Sequence, residues 1–106
     1  MAKILIIDTS DNKRISVGLE LDGKKSEITE DSTVLRSEAA LPVIEKILKK
    51  SNLQISQIDQ IKVNKGPGSY TGLRVGIAIA NALGFLLKVP VNSKKIGELE
   101  EPVYNE

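Results

Sequence analysis

The sequence predicts an α/β protein, a single lobe with a mixed sheet and the element order β-β-β-α-β-α-β. Three observations predict it: a continuous β-branched run at the start, two helical patterns in the second half, and a short strand pattern after each helix. The last two strands enclose a helix, so they should be parallel and joined by a right-handed crossover. A length of 106 residues fits one domain.

The first three strands are predicted to form an antiparallel meander. Lys3–Asp8 (KILIID) is apolar without a break, as in a strand buried on both faces. Ile15–Leu21 alternates apolar and small or polar residues, and Asp22-Gly23 is a strong hairpin signal. Lys24–Glu30 is polar and carries paired lysines, which suits an edge strand.

The first helix is predicted to begin at Ser37, a suitable N-cap, and to end where Asn52 takes a left-handed conformation. Pro42 removes one backbone donor, so the helix either begins near residue 41 or has a bent first turn. The apolar stripe of this helix consists of Leu41, Val43, Ile44, Ile47 and Leu48.

The remaining elements follow in a regular order. A short strand is predicted over Ile58–Val63, a helix from about Thr71 to Leu87, and a last strand over Val89–Val91. Residues 94–106 form a polar, acidic tail, and we expect its end, GELEEPVYNE (97–106), to fray.

Composition excludes several kinds of site. The chain has no Cys and no His, which rules out disulfides, Cys/His zinc sites and cysteine or histidine catalysis within it. A formal charge of +1 and only three aromatic residues give no basis for nucleic-acid binding. The short apolar run at the start does not fit a signal peptide, so we expect a cytoplasmic protein without a membrane segment.

The second helix is apolar almost all round. Within residues 75–87 only Asn81 is polar, so both sides of the helix need cover. Gly72, Gly76, Ala80 and Gly84 recur every four residues and form a smooth ridge. A helical glycine costs about 1 kcal/mol relative to alanine, which is understandable where another backbone approaches closely. That backbone belongs either to the first helix or to a second protein.

The glycine-rich turn before this helix, KGPGSYTGLRVG (65–76), could be structural or could bind an anion. It matches neither the phosphate-loop pattern nor the GxGxxG fingerprint, yet it leads to a helix N-terminus, which attracts anions. The IDTS sequence at the end of the first strand could serve a magnesium–nucleotide or could be an ordinary turn. The candidate phosphate-binding residues are Asp8, Thr9, Ser10, Gly66, Gly68, Ser69 and Thr71.

The chain resembles the TsaB (YeaZ) family over roughly residues 2–93. The resemblance is carried by ILIIDTS, SEAALPVIEKIL, KGPGSYTGLRVGIAIANALGF and VPV, in that order. It implies an actin-like, ribonuclease-H-like fold and a role in placing threonylcarbamoyladenosine on tRNAs. It also implies a non-catalytic partner of the catalytic subunit TsaD, joined by the ATPase TsaE, and a homodimer when alone. The paired metal-binding histidines of TsaD are absent here, so TsaD-type catalysis is not expected.

The resemblance also implies which residues dock a partner, because the partner-binding helices of the family correspond to Ser37–Lys50 and Thr71–Leu87. The predicted interface comprises Leu41, Ile44, Leu48, Leu73, Gly76, Ile77, Ala80, Asn81 and Gly84. We expect residues 1–93 to form the N-terminal lobe of the family and residues 94–106 a tail, with the second lobe of the family absent. No cofactor is expected, except ATP and magnesium in an assembled complex, and tRNA would be met at most indirectly.

Two alternatives stay open at this stage. The chain could be a nucleotide- or phosphate-binding half of an actin-like ATPase, using Asp8 to Ser10 and the glycine turn. It could also be a purely homodimerising module. Arg74, a cation near the helix start, could bind a carboxylate of a partner or of its own chain.

Overall fold

The computed structural model describes residues 2–11, 13–31 and 37–103, with the first two helical positions, 37 and 38, described for their backbone only. Within these ranges the chain has two layers, a mixed four-stranded sheet and a pair of helices. Apolar side chains of both helices join those of one sheet face in a single cluster. The predicted α/β class is therefore confirmed.

The sheet has the spatial order β3-β2-β1-β4. Strands β1 (Lys3–Asp8), β2 (Arg14–Leu21) and β3 (Lys24–Asp31) form the predicted antiparallel meander. Strand β4 (Gln60–Val63) pairs with β1 in parallel, which makes the sheet mixed. It begins two residues later than predicted, because a 3₁₀ turn over Ile55–Gln57 occupies the approach to it.

Helix α1 spans Ser37–Lys50 and runs through Pro42, so a start near residue 41 is wrong. Ser37 is the first helical residue rather than the cap, and residue 36 lies outside the described residues. The predicted left-handed cap is confirmed, since Asn52 has φ 56°. There the Leu53 N–H donates to the carbonyl of Leu48 (2.9 Å), the closing bond of a Schellman motif.

Helix α2 spans Tyr70–Leu87 and is capped by Ser69, whose hydroxyl accepts from the Gly72 N–H at 3.2 Å. At 18 residues it is long and apolar enough to cross a membrane by length and composition alone. The helix is nevertheless packed on the sheet, with Leu73 and Ala80 fully buried in the common core. A core helix of this kind satisfies the same length and composition test.

The predicted last strand over Val89–Val91 is wrong as a strand. Only Val91 forms a bridge, parallel to Ile61 of β4. The chain then turns away through Asn92 and Ser93, both with positive φ, so no further ladder bond forms. The predicted parallel direction is thus seen at a single residue pair.

Alternation along the strands separates the two sheet faces. Leu5 and Ile7 of β1 point into the helix-covered core, whereas Ile4, Ile6 and Asp8 lie on the other face. The cluster on the covered face includes Ile15, Val17, Leu19, Val43, Ile47, Ile61, Val63, Leu73, Ile77 and Ala80.

Candidate functional site

The end of β1 is fixed by hydrogen bonds from neighbouring loops. The Ser10 N–H and hydroxyl donate to Asp8 Oδ1 at 3.0 and 2.7 Å, and Asn64 Nδ2 donates to the same oxygen at 3.3 Å. Burial raises the pKa of Asp8, but these hydrogen bonds outweigh it and hold the pKa below its ordinary value. Thr9 is fully buried and donates its hydroxyl to the Gly72 carbonyl at 2.6 Å.

Three main-chain donors of the glycine turn, the amides of Gly66, Ser69 and Gly72, are occupied within the chain. The Gly66 N–H donates to Asn64 Oδ1 at 3.0 Å, and the Ser69 N–H donates to the Ser10 carbonyl at 2.7 Å. The Gly72 N–H is used by the Ser69 cap. A phosphate would have to displace existing hydrogen bonds to reach these three amides, and their engagement favours a structural turn.

The glycines themselves are required by close approach. A Cβ on Gly68 would lie 2.8 Å from the Ser10 Cβ, and one on Gly66 would overlap the Val103 carbonyl. Gly66 also has φ 118°, which L side chains rarely adopt. The structure thus brings the predicted phosphate residues of both loops together, with Thr71 exposed on the first turn of α2. Their closeness is explained by packing of the turn against the end of β1.

A cleft of about 450 Å³ opens where β1 and β4 end, and its lining combines aliphatic and polar residues: Ile6, Ile7, Asp8, Lys62, Val63, Asn64, Asn92 and Ser93. Among the described residues, no group of three or more acidic, cysteine or histidine side chains is placed to hold a metal ion.

The ridge of small residues on α2 is covered by its own chain. A Cβ on Gly76 would overlap the Thr9 hydroxyl, and one on Gly84 would lie 2.5 Å from Val91 Cγ2. The approaching groups are the end of β1 and the segment after α2, neither the first helix nor a second protein. Five residues of the predicted interface are buried within the chain: Leu73, Gly76, Ile77, Ala80 and Gly84.

The α1 residues of the predicted interface lie differently. Leu41 is half exposed, while Ile44 and Leu48 are buried but line an apolar groove of about 450 Å³. The groove also includes Leu53 and Ile55 near the 3₁₀ turn and Leu83 of α2. We call it the α1–α2 groove.

The outward side of α2 carries apolar residues that the predicted interface omitted. Ala78, Ala82 and Phe85 follow one another at i, i+4 and i+7, and each is exposed. Phe85 and Leu86 are both 72% exposed. We call these four residues the α2 outer stripe. The apolar run was visible in the sequence. The glycine ridge, however, did not show which side of the helix would face the sheet and which would face outward.

The C-terminal segment packs on the body, so the prediction of fraying is wrong for residues 97–103. Asn81 of α2 donates to the Glu100 carbonyl at 3.0 Å and accepts from the Glu100 N–H at 2.9 Å. Further along, the Val103 N–H donates to the Lys65 carbonyl. Nothing in the polar composition of this segment signals that it is ordered.

Glu100 is the buried acid of this segment, with a side chain only 4% exposed. Asn92 Nδ2 donates to one carboxylate oxygen at 2.7 Å, and the Glu101 N–H donates to the other at 3.0 Å. The Lys65 and Lys94 amino groups lie 3.9 and 3.8 Å away. Burial raises the pKa of Glu100, but the hydrogen bonds and the two lysines outweigh it and lower the pKa.

Comparisons of sequence and of structure with known proteins find relatives of related names. The family model described as TsaD, tRNA N6-adenosine threonylcarbamoyltransferase, matches residues 31–93. A Haemophilus influenzae protein named tRNA threonylcarbamoyladenosine biosynthesis protein TsaB is 40% identical over 88 residues, which are 83% of this chain and 37% of that protein. The Bacillus subtilis protein of the same name is 34% identical over 93 residues, or 85% of this chain and 39% of the relative. The solved structure of YeaZ from Pseudomonas aeruginosa superposes with a TM-score of 0.80 at 30% identity, over 90% of this chain and 44% of that one.

The meander, the parallel strand and the two helices on one sheet face define an actin-like, ribonuclease-H-like lobe. Within that class, the chain belongs to the TsaB (YeaZ) family. The resemblance inferred from the sequence motifs is thereby confirmed. The chain spans well under half the length of the two TsaB relatives described above.

Proposed function

We propose that this chain is a non-catalytic, cytoplasmic scaffold in tRNA threonylcarbamoyladenosine biosynthesis that binds a TsaD-like subunit. The pathway is taken from the names of the relatives, and the TsaD family model supports a subunit of related fold as partner. Alone, the chain would pair with a second copy through the same surface. A TsaE-like ATPase would join the complex, and tRNA would be contacted at most indirectly.

The observation that carries this proposal is the α2 outer stripe. A surface helix of a small α/β lobe normally turns a polar side to water, yet here two large apolar side chains are 72% exposed side by side. The small side chains of Ala78 and Ala82 leave the first part of the stripe flat, so that a partner helix could approach closely.

The α1–α2 groove extends this surface sideways. Leu83, which lines the groove, lies one helical turn before Leu86 of the stripe. Leu41 borders the same groove from α1 and is half exposed. A partner that covers both features would bury apolar side chains from both helices, as expected of an interface core.

A non-catalytic role is supported by the residues that are present. The chain lacks histidine and cysteine, and the hydroxyls of Thr9 and Ser10 donate to internal acceptors. The acceptor of the Ser10 hydroxyl is the Asp8 carboxylate, whose pKa is held below its ordinary value, so Asp8 is a weak base for activating a hydroxyl nucleophile.

The test is size-exclusion chromatography with light scattering, with and without the TsaD-like subunit of the same organism. We expect a heterodimer with the unchanged chain and at least a tenfold weaker complex with Phe85→Glu or Ala82→Glu, because either change buries a charge at the contact. Lys25→Glu on β3, away from both helices, is the matched control and should bind normally. Equal binding by all three variants would refute docking through α2.

A further inference from the structure

Residues 98–103 lie as an extended segment across a polar groove of the lobe. One side of the groove is α2 at Asn81, another is the loop after Val91, and the third is the start of the glycine turn at Lys65. Between residues 94 and 103 only Glu100 is buried, while Leu99 and Val103 are 65% and 49% exposed. Polar contacts therefore hold the segment, with little apolar burial.

The groove contacts have the chemistry of peptide recognition. Asn81 bonds both main-chain groups of one residue, the N–H and the carbonyl of Glu100, which fixes an extended backbone irrespective of side chain. The Lys65 carbonyl accepts from the Val103 N–H, as a neighbouring strand would.

A second set of contacts selects for a carboxylate. Asn92 donates to the Glu100 side chain, and the amino groups of Lys65 and Lys94 flank it. Asn92 is itself held, since it also bonds the N–H and the carbonyl of Val63 at 2.8 and 3.0 Å. The side chain that donates to the carboxylate is thus held by β4, independently of the segment.

We propose that this groove is a binding site for an extended acidic peptide, filled in cis by residues 98–103 and able to accept the same sequence in trans. The required feature of the ligand is a carboxylate at the position of Glu100. The neighbouring Glu101 is exposed, and only its main-chain N–H takes part. This inference does not depend on the docking of a TsaD-like subunit, because the contacts to the segment are made by Asn81, Asn92, Lys65 and Lys94, none of which belongs to the α2 outer stripe. The two surfaces adjoin at Phe85, which lines a small pocket together with Asn81 and Leu99.

The chain can open this contact without disturbing the sheet. The connection between Ser93 and Glu98 is exposed at Lys95 to Gly97 and is held by local contacts, the Glu98 N–H to the Lys95 carbonyl at 2.9 Å and the Lys94–Glu98 ion pair at 3.4 Å, so it can move together with the segment. Opening would expose the carboxylate site and the Val103 contact next to Gly66, while the core cluster contains no residue of the segment.

The experiment measures binding of a fluorescent peptide with the sequence of residues 97–103, GELEEPV, to the full chain by anisotropy. In the Glu100→Ala chain the cis segment is weakened, and we expect this chain to bind the peptide more tightly than the unchanged chain, whose own segment competes at high effective concentration. A peptide with alanine at the Glu100 position should bind about tenfold more weakly or worse, since it loses charge-assisted hydrogen bonds. A peptide with alanine at the Glu101 position is the matched control and should keep most of its affinity.

Absence of binding to the Glu100→Ala chain, or an equal effect of the two alanine peptides, would overturn the proposal.

A second measurement uses the unchanged chain and so does not depend on the variant folding. In amide hydrogen exchange, the Glu100 and Val103 N–H groups should exchange faster than those of β1, because the segment opens locally. Exchange of these two amides only at the rate of global unfolding would show an integral element instead of a bound peptide.

Discussion

Asn81 of α2 pairs with the main chain of Glu100 through both ends of its amide, at 3.0 and 2.9 Å. Asn81 is the single polar residue in an apolar run, and a buried amide needs partners for its donor and its acceptor. The sequence analysis placed Asn81 in the predicted partner interface. The structure supplies both partners of the amide from 19 residues further along the same chain.

This pairing predicts a stability cost for Asn81→Ala. The substitution leaves the Glu100 N–H and carbonyl without their partner in a part-buried place, so we expect a loss of about 1–3 kcal/mol in unfolding free energy. Urea denaturation followed by circular dichroism measures it. Asn81→Asp places a carboxylate oxygen against the Glu100 carbonyl and should cost at least as much as Asn81→Ala. An unchanged midpoint for Asn81→Ala would show that the pairing contributes nothing.

Acid should weaken the fold through Glu100 and Asp8. Both have a pKa below the ordinary value, because hydrogen bonds, and for Glu100 two lysines, outweigh burial. A lowered pKa in the folded state means that the unfolded chain binds more protons, so stability rises with pH. The contribution is complete above the ordinary carboxyl pKa and is lost as pH falls through the lowered values.

The measurement is unfolding free energy by urea between pH 7 and pH 3. We expect Glu100→Gln to be less stable at pH 7 and to show a shallower fall toward pH 3. Glu101→Gln, at an exposed neighbouring position, should retain the slope of the unchanged chain. Parallel curves for all three proteins would contradict the role assigned to the buried carboxylate.

Enlarging two alanines on α2 should have different effects on folding stability. Ala80 is fully buried, so Ala80→Leu overpacks the core and should cost about 1–3 kcal/mol of folding stability. Ala78 is exposed on the outer stripe, so Ala78→Leu should change stability by no more than about 0.5 kcal/mol. Thermal unfolding at low protein concentration separates the two effects. Equal destabilisation would mean that the outer stripe is covered within the chain.

Local patterns predicted most of the fold. The alternation in Ile15–Leu21, the Asp22-Gly23 turn and the stripe of the first helix depend on near neighbours, and each corresponds to an observed element. The strand predicted over Val89–Val91 is reduced to one bridge, because the length of a strand depends on where the chain turns, here at Asn92. The resemblance added the family, which no local pattern could supply.

The contacts of the small-residue ridge depend on distant parts of the chain. The every-fourth-residue glycines indicated a close approach, but the nearest approaching groups are side chains instead of a backbone, and spacing cannot identify them: they are those of Thr9 at Gly76 and Val91 at Gly84. The tail was misjudged for a related reason. A polar segment with one buried acid has the composition of a disordered end, and its order depends on Asn81, Asn92 and Lys65.

The glycine turn leads to a last prediction, about nucleotide. The Gly66, Ser69 and Gly72 amides already have acceptors, and Asp8 is held by Ser10 and Asn64, so a phosphate would have to break existing bonds. We therefore expect the chain alone to bind magnesium–ATP no more tightly than about 100 μM in titration calorimetry. Asp8→Asn and Lys62→Ala, both in the cleft at the strand ends, should leave the calorimetric trace unchanged. Tighter binding that either substitution abolishes would favour the nucleotide-binding half-lobe, because it would show that the cleft captures phosphate despite the occupied turn.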